Sequence, residues 1–133
     1  MDANIYREQI IDLYEHPLNF GHVPNPDFSY EEDNPLCGDV IRIDVLLGED
    51  QRVKEVAWSG EGCAISQAAA SLLTEEIKGK TLDEVKAFTS DQLLELVGVP
   101  LSMARVKCAL LSLKVLKAGA YGIPDTGVMR QHD

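Results

Sequence analysis

The chemistry-bearing residues of this chain are three widely spaced cysteines and one aspartate. Cys37 lies in Asn34-Pro35-Leu36-Cys37-Gly38-Asp39, and Cys63 in Gly60-Glu61-Gly62-Cys63-Ala64-Ile65-Ser66. Cys108 lies in Arg105-Val106-Lys107-Cys108-Ala109. An odd number with no CxxC pair argues against a disulfide framework, so the thiols read as reduced. A reduced thiol is an inert core group, a metal ligand or a nucleophile. Cys108 on its own reads as core, the common fate of a free cysteine. Cys37 and Cys63 sit at glycine-flanked boundaries, where the backbone can expose a side chain. Cys63 also opens a helix. Unpaired N–H groups and the dipole there favour thiolate, the form that attacks sulfur and binds metal.

Asp39 follows Cys37 across one glycine. Such an aspartate either bonds its own turn or sets a hard oxygen beside soft sulfur. Three thiolates and a carboxylate make a plausible tetrahedral zinc set. The same thiolates suit an iron–sulfur cluster, where an oxygen ligand is weaker and more exchangeable than a fourth thiolate. Three unrelated thiols in an ordinary domain are the bland alternative, which predicts no metal. The remaining motifs add little. His16, His22 and His132 read as exposed or locally bonded. Gly60-Glu61-Gly62 lacks the further glycine of a dinucleotide loop. Ser59, Ser66 and Ser71 have no His/Asp pattern of a triad.

The elements that must position these residues follow from periodicity. Residues 4–15 predict a helix with Ile5, Ile10, Leu13 and Tyr14 on one face, Asn4 as its cap and Pro17 as its stop. Residues 16–36, with four prolines, read as a long irregular segment, functional or poorly ordered. Ile41, Ile43, Val45 and Leu47 alternate with polar residues and predict a strand over 40–47. A turn at 48–51 leads to a second strand over 52–59, so the pair reads as an antiparallel hairpin. Ile65, Ala68, Ala69, Leu72, Leu73 and Ile77 form the stripe of a helix over 64–78, ended by Gly79. Thr81-Leu82-Asp83-Glu84 is a capping box for a short helix, and Thr89 or Ser90 opens another. A last helix runs from after Pro100 to about Ala118. Its apolar positions are Met103, Val106, Ala109, Leu110, Leu113 and Leu116, and Gly119 and Gly122 end it. Early strands and late helices predict an α+β fold, a small antiparallel sheet with helices packed on one face. One domain over 1–133 is expected, with a flexible tail over 120–133.

Composition bounds the partners. The chain has 133 residues, 45% hydrophobic and 26% charged, with a formal net charge of −10. That charge argues against nucleic acid and anionic membrane surfaces and fits a basic partner. No apolar run approaches the ~20 residues of a membrane span. The acidic start is wrong for a secretory signal, so a cytoplasmic address is expected.

At its three cysteine segments the sequence resembles the iron–sulfur cluster assembly scaffold family of the IscU, SufU and NifU N-terminal type. The three motifs occur in the family's order, and the opening Tyr6, Ile10, His16-Pro17 and Asn19-Phe20-Gly21 is also similar. So is Lys78-Gly79-Lys80-Thr81. The resemblance covers about residues 4–119. It implies a three-stranded sheet, with the third strand around Phe28–Glu32. It implies that Cys37, Asp39, Cys63 and Cys108 meet at one exposed end as ligands of a transient [2Fe–2S] cluster or of Zn2+. A cysteine desulfurase would deliver persulfide sulfur there; Cys37, on its flexible glycine turn, is the expected acceptor, with Cys108 the other candidate catalytic residue. A downstream iron–sulfur carrier or apo-protein would receive the product. The first functional reading is a scaffold that builds or transfers the cluster and is no enzyme. The alternative is a zinc-containing SufU-type sulfurtransferase that relays persulfide sulfur. Two departures bear on the choice. Lys107 stands where IscU-type members carry a histidine, and it either pairs with Asp39 or faces solvent. Leu101 to Lys107 replaces the Leu-Pro-Pro-Val-Lys loop, so an Hsp70-type chaperone partner is not implied. Arg-Val-Lys-Cys is SufU-like, whereas the spacing before Cys108 is IscU-like.

Overall fold

A computed structural model describes residues 3–35 and 38–122, with side chains from residue 7. Helix α1 spans Ala3–Glu15, β1 Phe28–Asn34, β2 Asp39–Leu47 and β3 Val53–Glu61. Helices α2 (Ala64–Glu76), α3 (Leu82–Ala87), α4 (Ser90–Val97) and α5 (Met103–Tyr121) follow. The strands form one antiparallel sheet in the order β1-β2-β3. The α+β architecture expected from sequence is thus the observed one.

Each element forms for a local reason. On β2, Ile41, Ile43 and Val45 turn inward and are fully buried under the helices. The Val53/Val56 spacing of β3 breaks simple alternation because the register shifts between Leu46 and Leu47. Such a bulge inserts one extra residue against the partner strand. Thr81 and Thr89 each cap a helix through a reciprocal box with Glu84 and Gln92. Trp58 is the largest fully buried side chain, and the core around it draws on α1, β2, β3 and all four later helices.

Several expectations need correction. Helix α1 starts at Ala3, so Asn4 lies inside it. Tyr14 is half exposed, while Ile10 and Leu13 are buried. The irregular segment ends at residue 27, because β1 occupies Phe28–Asn34. The loop before β1 is tied down rather than loose. Trp58 Nε1 donates to Leu18 O at 2.8 Å, and Leu18 N donates to Ser71 Oγ at 3.1 Å. Met103 starts α5 but is 87% exposed. Helix α5 is buried over much more than one stripe, with Leu111, Ser112 and Val115 inside. It packs against α2, α3, α4, β1 and β2 at once. Gly119 does not end α5. It is buried within it, because the Phe28 ring occupies the place of a Cβ. The helix thus runs past the expected tail boundary at 120, and residues 123–133 lie outside the described residues. Among the described residues, no helix is long and apolar enough to cross a membrane.

Candidate metal site

The first residue of β2, the cap of α2 and the first half of α5 converge at one end of the sheet. One ligand atom each from Asp39, Cys63 and Cys108 lies within 4.8 Å of the others. Sequence reasoning put these three together with Cys37, which lies outside the described residues. Asp39 and Cys108 are fully buried and Cys63 is partly exposed. Of the described donors, Cys63 is thus the one that reaches solvent.

Among the described residues, Asp39 sends its side-chain bonds across to Cys63 rather than to its own turn. Its Oδ1 accepts the Cys63 backbone N–H at 2.9 Å, and its Oδ2 stands 4.0 Å from Cys63 Sγ. Cys63 is the N-cap of α2, but its side chain makes no cap hydrogen bond. The sulfur is thus left to other partners.

Two glycines let the backbone pass. Gly60 has φ +135 and lies against the Val40 carbonyl, where a Cβ would collide. A Cβ on Gly62 would stand 2.7 Å from both Asp39 Cγ and Ser66 Oγ. That is closer than real Cβ contacts come, so the carboxylate rests directly on the Gly62 backbone. Ser66, fully buried, donates its hydroxyl to Cys63 O at 3.0 Å. Gln67 Nε2 donates to Gly62 O at 2.8 Å. Sequence reasoning gave these two residues no part here. Ser66 was legible only as no nucleophile, and a helical glutamine carries no signal of its own.

Cys63 is a free thiol, whereas Cys108 is disulfide-bonded. The expectation of three reduced thiols is corrected to that extent. Reduction is needed before Cys108 can serve as a ligand.

The donor set fits a thiophilic ion. Zinc bonds sulfur at about 2.3 Å and carboxylate oxygen at about 2.0–2.2 Å, so ligands of one tetrahedral ion stand roughly 3.5–4 Å apart. The Asp39–Cys63 pair is already at that distance, and the third donor needs a small contraction.

Other expected participants stand apart. Lys107 is exposed and lines a groove of about 360 Å³ with Asp33, Pro35 and Lys114. It forms no ion pair with Asp39 among the described residues. His16 contacts Asp12 at 3.4 Å. His22 Nδ1 reaches Asp44 Oδ2 at 3.3 Å. Neither joins the metal group, and His132 lies outside the described residues.

Comparison with known proteins identifies the chain's relatives. The NifU-like N-terminal domain matches residues 5–125. The zinc-dependent sulfurtransferase SufU of Bacillus subtilis strain 168 is 37% identical over 132 residues, covering 86% of this chain and 88% of the relative. The iron–sulfur cluster assembly scaffold protein IscU of Escherichia coli strain K12 is 31% identical over 116 residues, covering 85% and 89%. The SufU alignment is longer than the stretch of this chain it covers, so that relative carries residues with no counterpart here. A crystal structure of a putative iron–sulfur cluster assembly scaffold protein for the SUF system, from Fervidobacterium islandicum AW-1, superposes with a TM-score of 0.74. It is 29% identical and covers 90% of this chain and 99% of its own.

Proposed function

The chain belongs to the NifU-like N-terminal domain family, and from that premise we propose that it takes sulfur from a cysteine desulfurase and relays it to iron–sulfur assembly. Cys37, Asp39, Cys63 and Cys108 would hold a zinc ion. The observation that carries this reading is the compactness of the described donors. Three atoms within 4.8 Å of one another suit one tetrahedral ion. They suit less well a two-iron cluster, whose ligands are divided between two centres. The similarity to a zinc-dependent SufU supports the same choice.

Bound zinc would keep the thiols deprotonated. The chain's own part is the transfer. Cys37 thiolate attacks the outer sulfur of the desulfurase's cysteine persulfide. An S–S bond forms at Cys37 as the desulfurase S–S bond breaks, and the desulfurase cysteine leaves as thiolate. The exchange is redox-neutral and needs no co-reactant. Asp39 and Cys63 stay in place through the Asp39 Oδ1 contact to the α2 cap. Lys107, on the solvent side, adds positive charge near a site of thiolates in an otherwise acidic chain. A relay through reduced thiols fits the expected cytoplasmic address.

The second reading, a scaffold for a [2Fe–2S] cluster, is favoured by the similarity to IscU and by the shorter spacing before Cys108. One experiment separates the two. The reduced protein is mixed anaerobically with cysteine, a cysteine desulfurase and ferrous iron. The relay predicts about one zinc per chain, faster desulfurase turnover and no visible charge-transfer band. A band with about one cluster per chain or per pair of chains, and no retained zinc, establishes the scaffold instead.

A further inference from the structure

The Gly62–Cys63 peptide is gripped at both ends. Its N–H, on Cys63, is accepted by Asp39 Oδ1 at 2.9 Å. Its C=O, on Gly62, accepts Gln67 Nε2 at 2.8 Å. Gly62 has no side chain to fix this plane, and a Cβ there would overlap the Asp39 carboxylate and Ser66 Oγ. The orientation must come from bonds to the peptide itself. Ser66 holds the next carbonyl, on Cys63, and leaves this plane free. A donor on the carbonyl also polarises the amide and strengthens its N–H as a donor to Asp39.

We propose that Gln67 is a positioning residue of the site, acting through the Gly62–Cys63 peptide to hold the Asp39 carboxylate against Cys63. The inference rests on the reading of Asp39 and Cys63 as metal ligands. The peptide itself can be observed without metal. Gln67 touches no donor atom of the group, so its effect is indirect and of the size of one hydrogen bond.

Two variants test it: Gln67→Leu, which removes the donor, and Gln67→Glu, which keeps the shape but sets an acceptor against the Gly62 carbonyl. Amide hydrogen exchange is followed in the reduced, metal-free chain, and zinc affinity by competition with a chromophoric chelator. Both variants are expected to speed exchange at Cys63 N–H by about fivefold, the worth of one net hydrogen bond. Zinc dissociation constants should rise by a similar factor, with amides from Ser71 onward in α2 unchanged. Unchanged exchange at Cys63 overturns the inference. So does an equal rise along all of α2, which would make Gln67 only a helix-end contact. If exchange at Cys63 responds but the unaltered chain takes up no zinc, the positioning role stands and the metal reading falls.

Discussion

Asp39 is a residue with two obligations. One carboxylate oxygen is committed to the Cys63 N–H, leaving Oδ2 as the oxygen nearest the sulfur. The geometry therefore allows a ligand bond through a single oxygen, with the other holding the helix start in place. Removing the carboxylate deletes a ligand and leaves a partly buried N–H without its acceptor. Asp39→Ala should weaken zinc by more than the ~10–100-fold that follows loss of a group merely orienting a ligand. Chelator competition checks this, with Asp39→Asn as the comparison. Asn keeps an acceptor for Cys63 N–H but loses the charge, so its loss should be intermediate. An Asp39→Ala protein that instead accumulates a stable coloured cluster would transfer the case to the scaffold.

At the scale of elements, Asp44 does for the sheet what Asp39 does for the site. It lies on β2 with 2% exposure, on the face away from the helices. It accepts Val23 N at 3.1 Å and Arg42 Nε at 3.0 Å, and it also bonds Ser29 Oγ. Burial pushes its carboxyl up, but the bonds from Ser29, Arg42 and Val23 outweigh burial and hold it below the usual carboxylate value. A lowered folded value means stability that is present in full above the unfolded value of about 4 and is lost as pH falls through the folded one. Asp44→Asn should therefore cost about 1.5–3 kcal/mol at neutral pH, the worth of hydrogen bonds to a charged group. Urea unfolding of the two proteins should draw together only as pH falls through the lowered folded value of Asp44, below the ordinary carboxylate value of about 4. A gap independent of pH would show that shape, not charge, ties the loop to β2.

The same scale explains what the sequence could disclose. The inward row of β2 and the capping boxes of α3 and α4 are local patterns, and they were legible. Strand β1 was not legible from alternation: it is an edge strand whose residues are mostly exposed, so no buried row marks it. It entered only through the resemblance. The Gly119 stop failed because a glycine that ends a helix and one that admits a neighbouring ring look alike in sequence. Cys108 looked like core and is buried as core. Its place beside Asp39 and Cys63 follows from the packing of α5 on β2, which no local window contains. Gln67 was silent for the same reason, since its partner is a carbonyl in a turn shaped by the sheet.

For the whole molecule, the three described donors belong to β2, α2 and α5, which together carry most of the core. An unfolded chain offers no such convergence, so metal binding adds to folding free energy. At free zinc 100 times the dissociation constant, the gain is about 2.7 kcal/mol. In a domain of this size that raises the melting temperature by on the order of 10 °C. The shift should require reductant, because Cys108 must first be freed from its disulfide. It should vanish in Cys63→Ser and on chelation. The net charge of −10 supplies a competing explanation, since any divalent cation relieves self-repulsion in so acidic a chain. Magnesium at the same concentration separates the two. It carries the same charge but prefers oxygen ligands and an octahedral shell, which two sulfurs and a carboxylate do not provide. A zinc shift well above the magnesium shift, lost in Cys63→Ser, places the stabilisation in the site. Equal shifts, kept in Cys63→Ser, assign it to the surface charge and remove the metal from the fold's energetics.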